Sequence, residues 1–235
     1  MIYGNKNFYG YEIGVLLLNT KFPRIKGDVG NVQSYNFPVL FEVVEEANIQ
    51  NVILNTDRSI ITPFIKAAKK LEEKGVKAIT TSCGFTIMFQ DDIAKELRVP
   101  FFSSSLLLLP LLQRIFKSKI LILTANSKNL TKEYLKAAGA SNFSQIIVKG
   151  MEDQPEFKRV ILDNNSDMNL EKIEEEIKNV VRNTINDEKD IGCILLECHN
   201  LPPFKSLIQK EVNIPVYDII SFVNFIYSGI IKTNP

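Results

Sequence analysis

The chain has one histidine, His199, and three cysteines, Cys83, Cys193 and Cys198, with no Cys-x-x-Cys pair among them. Soft ligands are too few for a zinc site, and three thiols are too few and oddly numbered for a disulfide framework. No apolar run approaches the roughly 20 residues that cross a bilayer. The longest leucine-rich stretch, residues 106–112, is broken by Pro110 and followed by Arg114, and is expected as a buried helix. The first residues lack the basic segment, apolar stretch and cleavage site of a signal peptide, so a cytoplasmic location with reduced thiols is expected. A net charge of only +1 gives no electrostatic case for a nucleic-acid or membrane partner. Neither a Walker A motif nor Gly-x-Gly-x-x-Gly follows the first apolar run, which argues against a nucleotide. Nothing calls for pyridoxal phosphate, and no metal or cofactor is expected.

What remains is a globular composition, 45% apolar and 23% charged over 235 residues, enough for one large domain or two lobes. Residues 12–18 form an apolar run of strand length, as a buried parallel strand would. A segment rich in Gly, Pro and Asn follows over 21–38, and a loop that long is usually functional or disordered; a substrate-side loop is expected. Further strands are expected at 39–44, 52–54, 78–81, 100–102, 120–124, 145–148, 191–196 and 216–217. Helices are expected at 62–74 with Gly75 as its stop, at 86–97, after a Ser105 cap, and at 128–138 before Gly139. Three more are expected at 170–186, with acidic residues at the positive end of its dipole, at 202–209 and at 219–227. The alternation predicts an α/β fold with parallel sheets flanked by helices.

The two halves are weakly similar. Gly75-Val-Lys-Ala-Ile-Thr-Thr-Ser-Cys83 is followed by a helix and Val99-Pro100-Phe-Phe-Ser, and Asp190-Ile-Gly-Cys-Ile-Leu-Leu-Glu-Cys198 by a helix and Ile214-Pro215-Val-Tyr-Asp, with the same interval from each cysteine to its proline. Two pseudo-symmetric lobes follow, the first of residues 1–104 plus 219–235, the second of 105–218. Ligands of open parallel sheets bind beyond the carboxyl ends of the strands, where Cys83 and Cys198 both fall. At a strand-to-helix junction, free N–H groups and the helix dipole favour a thiolate. Cys193, inside a strand, reads as a small buried apolar residue.

Thr80-Thr-Ser-Cys-Gly-Phe85 and Leu195-Leu-Glu-Cys-His-Asn-Leu-Pro-Pro203 resemble the two cysteine motifs of the aspartate/glutamate/hydantoin racemase superfamily. Phe22-Pro-Arg-Ile-Lys-Gly-Asp-Val-Gly-Asn31 resembles a branch of it. The resemblance implies a cofactor-independent racemase or epimerase of an amino acid or its derivative, a small substrate with a carboxylate, and a homodimer. One thiolate would take the α-proton while the opposing thiol returns one, a task suited to a group whose pKa can be set near working pH. The motif positions imply Ser82 and Gly84 at one end of the substrate carboxylate and His199 and Asn200 at the other. Family members commonly carry Thr where His199 stands.

Asn19, Thr124 and Asn126 are expected in the walls of the cleft, with a turn cap as the plain alternative for Asn19. Arg24 in the long loop is the candidate for a second carboxylate, since guanidinium matches it as a bidentate fork. Glu197 is expected on the far face of its strand. A related decarboxylase or cis–trans isomerase of a small dicarboxylate is the enzymatic alternative, and a binding module the non-enzymatic one.

Overall fold

The computed structural model describes residue 4 and residues 9–231. The first sheet has the order β2-β1-β3-β4, built from β1 (Ile13–Leu18), β2 (Val39–Val44), β3 (Ala78–Thr81) and β4 (Phe101–Phe102). The second repeats it as β6-β5-β7-β8, from β5 (Lys119–Thr124), β6 (Ile146–Gly150), β7 (Ile191–Leu196) and β8 (Val216–Tyr217). Every pairing is parallel. The identical order is the duplication visible in the sequence, and it puts β3 and β7, the strands that lead into Cys83 and Cys198, at equivalent places.

The helices are α1 (Ile61–Lys74), α2 (Gln90–Ala94), α3 (Leu109–Ile115), α4 (Lys132–Ala137), α5 (Pro155–Phe157), α6 (Leu170–Asp187), α7 (Lys205–Val212) and α8 (Ile219–Ile230). In α1, Phe64, Ala67, Ala68 and Leu71 recur at helical spacing and are buried. Its end is set by Gly75 in the left-handed region (φ 98°), where a β-carbon would be strained. Helix α6 opens on Asn169, whose side chain accepts the Lys172 N–H, and buries Ile173, Ile177, Val180 and Val181. Helix α8 follows the second sheet in the chain but packs on the first. Phe222 meets Phe102 edge-on at 5.1 Å, and Ile219, Phe222 and Val223 share a core with Ile13, Val15 and Ala78. Among the described residues no helix is long and apolar enough to cross a membrane.

Several expectations are corrected. Residues 52–54 are not a strand but part of a π-helical turn, Gln50–Leu54. There Asn48 and Asn51 each accept the other's backbone N–H through the side chain, a local bond that outcompetes strand pairing. The cap before the leucine-rich segment is Ser104, which accepts the Leu106 N–H, while the Ser105 hydroxyl donates to the Leu196 carbonyl 2.7 Å away. The helix expected at 86–97 is a 3-10 turn, Gly84–Phe89, followed by the short α2. Helix α4 starts later than expected, at Lys132, because residues 126–130 form a turn closed by the Asn126 side chain on the Asn129 N–H.

Candidate active site

Cys83 stands directly after β3 in extended conformation (φ −145°, ψ 125°) and heads the turn Gly84–Phe89. The Cys83 carbonyl accepts the Thr86 N–H at 3.2 Å, and the backbone N–H groups of Phe85 and Thr86 favour the Cys83 thiolate. Cys198 ends the loop from β7, and the nearby Asn200 N–H favours its thiolate. The thiols share one seam between the sheets, close enough that charge on Cys83 opposes ionisation of Cys198. Both are nearly sealed, with 6% and 5% of their surface exposed. Burial raises both thiol pKa values, and negative charge on Glu197 raises them further. The Arg24 charge favours the Cys83 thiolate, whereas the Asp28 charge opposes that of Cys198. Cys193 lies inside β7 and is pushed up to about 12 by burial.

The long loop is docked over this seam rather than open. Gly27 has φ 102°, and a β-carbon there would stand 2.7 Å from Cα of Pro203, so only glycine allows the contact. Arg24 donates to Asp28 at 2.8 Å and to the Thr20 hydroxyl at 3.0 Å, and its guanidinium lies 4.9 Å from the Phe22 ring centre. Asp28, buried, also accepts the Gly30 N–H and the Asn200 amide, each at 2.7 Å. Asn200 thereby joins the loop to the segment carrying Cys198, its Oδ1 3.8 Å from the thiol sulfur. An ion pair of opposite charges thus sits beside the two thiols.

Other expected site residues hold the seam together. His199 is buried, accepts the Ser105 N–H on Nε2 (3.3 Å) and has Nδ1 2.9 Å from the Thr81 carbonyl. The proton therefore belongs on Nδ1, and burial brings the ring pKa down to about 3. Both ring nitrogens are engaged by backbone, so His199 is a neutral brace between lobes. Ser82 accepts the Leu18 N–H, and Thr124 donates to Glu197 at 2.6 Å. Gly84 lies against Glu197, where a β-carbon would overlap its Oε1 and its backbone oxygen. Asn126 caps its own turn. Asn19 is exposed and donates its side-chain amide to Glu45.

Two nearby side chains escaped sequence reasoning. Glu197 is fully buried at the seam, not on a far strand face, because β7 ends at Leu196 and strand alternation stops there. Burial pushes its carboxyl up to about 8. Tyr134 of α4 packs edge-on against Phe85 at 5.3 Å, bonds Thr56 across the seam, and is influenced by Cys83 and Glu197. A Glu set between an apolar strand and a Cys was the only sequence signal for the first; none existed for the second. Among the described residues no three His, Cys, Asp or Glu side chains converge as a metal site would require.

A family model described as Asp/Glu/Hydantoin racemase matches residues 38–222. A dimethylsulfoniopropionate lyase of Durusdinium sp. clade D is 30% identical over 95% of this chain and 76% of its own length. Dimethylsulfoniopropionate lyase 7 of Emiliania huxleyi is 28% identical over 91% of this chain, which spans only 65% of that relative. Among solved structures, a glutamate racemase of Bacillus anthracis superposes with a TM-score of 0.60 at 16% identity, covering 94% of this chain and 81% of the other.

Proposed function

The chain belongs to the Asp/Glu/hydantoin racemase family, and from that premise we propose that it removes the α-proton of a small carboxylate and expels a β-substituent, with dimethylsulfoniopropionate and related β-sulfonium carboxylates as its substrate class. The observation that carries the proposal is the convergence of Cys83, Cys198 and Arg24 on one seam. Elimination is preferred to racemisation because the relatives at 30% and 28% identity are named as lyases, whereas the glutamate racemase shares 16%.

The reaction needs one base and one stabilised carboxylate. Cys83 is the better base, since nearby backbone N–H groups and the Arg24 charge favour its thiolate, whereas the Asp28 charge opposes that of Cys198. The Cys83 thiolate takes the Cα proton. The C–H electron pair becomes the Cα=Cβ bond, and the Cβ–S pair leaves on sulfur as neutral dimethyl sulfide, so acrylate remains. The proton on Cys83 then passes to solvent. Arg24 supplies the positive charge toward which negative charge on the substrate carboxylate develops, and Asp28 is the matching anion for a zwitterion's cationic end. The seam is closed, so the loop 21–38 must lift to admit substrate.

Racemisation is the second reading, favoured by the equivalent placement of the two thiols in the duplication. Dimethyl sulfide in the headspace and acrylate by NMR, measured with dimethylsulfoniopropionate, distinguish the two alongside optical rotation across a panel of amino acids. Wild type should release both products, and Cys83→Ser should lose roughly 10²- to 10⁴-fold in rate. Racemisation of an amino acid without dimethyl sulfide release would replace the lyase reading with the second.

A further inference from the structure

We propose that Glu197 is a positioning residue that works in its protonated form, keeping the seam free of a second negative charge so that a thiolate can form beside it. The inference rests on the reading that the two thiols are the reacting groups.

Three observations point this way. Glu197 is fully buried, its Oε2 accepts the Thr124 hydroxyl at 2.6 Å, and its Oε1 is buried without a hydrogen-bond partner. An ionised carboxylate with an unpaired buried oxygen is costly, while a carboxylic acid carries no charge to solvate. Second, Glu197 is pressed against Gly84 at the head of the Cys83 turn and is itself the neighbour of Cys198, so its charge state is felt by both thiols. Third, the groups around it offer no cation. Cys83 faces it from the end of β3, Cys198 from its own segment and Tyr134 from α4, all of which would be opposed by its charge. His199 is neutral and turned to Thr81 and Ser105. Arg24 is engaged with Asp28 and Thr20, and the upward shift of the Glu197 carboxyl arises from burial, opposed in part by the Thr124 bond.

A carboxylate and a thiolate buried at one seam exclude one another, as two like charges at one site do. The neutral acid also keeps the orphan Oε1 from carrying an unpaired buried charge. Burial, which holds the carboxyl near 8, keeps the acid form populated at neutral pH and predicts that the site fails as Glu197 ionises on the alkaline side.

The test is Glu197→Gln, which fixes the neutral shape, beside Thr124→Val, which removes the bond that lowers the carboxyl pKa. Rate against pH is read with dimethylsulfoniopropionate. Thiolate formation is followed from about pH 6 to about pH 9 as the rate of thiol alkylation, which reports even a minor thiolate fraction, with the carboxylic C=O stretch followed by difference infrared spectroscopy. In wild type the C=O band should disappear as activity falls. Glu197→Gln should lack that band, keep its rate within about tenfold where loss of a proton-transfer group costs roughly 10² or more, and lose the alkaline fall. Its thiolate should form at lower pH than in wild type. Thr124→Val should carry the alkaline fall to higher pH. A folded Gln variant that is inactive, or whose thiolate titration overlays that of wild type, overturns the proposal. If dimethylsulfoniopropionate is not turned over, the lyase reading fails, while the thiolate and infrared titrations still decide the role of Glu197.

Discussion

Gly84, the first residue of the turn behind Cys83, packs so tightly on Glu197 that a β-carbon would overlap both the carboxyl Oε1 and the backbone oxygen of that residue. One obstacle is backbone, so side-chain rotation cannot relieve it. Gly84→Ala is therefore expected to separate the two strand ends, costing about 1–3 kcal/mol as overpacking does and displacing Cys83 from its opposing thiol. Denaturant midpoints check the first effect and turnover the second. An alanine variant as stable and active as wild type would mean that the seam is looser than this contact requires.

His199 should make the fold acid-sensitive. In the native state its ring pKa is brought down to about 3, against an ordinary 6.5. Between those values the unfolded chain binds the extra proton and the native state does not, so stability falls as pH drops through that window, by up to about 1.4 kcal/mol per pH unit. Its contribution is fully present above the ordinary value. His199→Gln is expected to cost about 1–3 kcal/mol at neutral pH through unpaired buried backbone groups, but to flatten the acid limb. Urea unfolding across that range tests this, and parallel curves for the two proteins would refute it.

The residues legible in the sequence were those whose role depends on local pattern. Apolar runs of strand length, the matched Cys83–Pro100 and Cys198–Pro215 segments, and Gly75 at a helix end all follow from periodicity and backbone chemistry, and they carry the repeated sheet order. The contacts that sequence could not show were those made with a partner far along the chain. Ser82 bonds to Leu18, His199 to Thr81 and Ser105, and Gly84 abuts Glu197; each has the residue type of a substrate ligand and the contacts of a brace. Asp28 stood in view as a loop charge, but only the fold shows it to be the hub joining Arg24 to Asn200. Val52, Ile53 and Leu54 looked like a strand because short apolar runs are ambiguous between strand and buried helix.

Arg24 is expected to govern substrate affinity more than base strength. Arg24→Lys keeps a positive charge near Cys83 but loses the fork that reaches Asp28 and Thr20 together and the stacking on Phe22. The variant should raise KM for a carboxylate substrate by about tenfold or more, the order of one lost charge-assisted bond, with little change in the pH dependence of kcat. Arg24→Gln should alter both, because it also removes the charge that favours the Cys83 thiolate. Inhibition by acrylate provides an independent measure of carboxylate affinity. Unchanged KM and inhibition in Arg24→Lys would remove Arg24 from the site.

Glu197 should act on stability with the opposite sign to His199. Its carboxyl is raised from an ordinary 4.5 to about 8, so between those values the native state holds a proton that the unfolded chain has released. Stability then falls as pH rises through that window, by up to about 1.4 kcal/mol per unit, and levels off above it. Where the two windows overlap, the slopes from His199 and Glu197 oppose each other. On the alkaline side, Glu197 acts alone. Glu197→Gln cannot ionise, so its stability relative to wild type should climb steadily from weakly acidic to mildly alkaline pH, whatever constant offset the new amide introduces. Thermal or urea unfolding of the two proteins at matched pH reads this difference directly. A difference that does not vary with pH would mean that the carboxyl is already ionised in the native protein at neutral pH, with solvent or a cation reaching the seam.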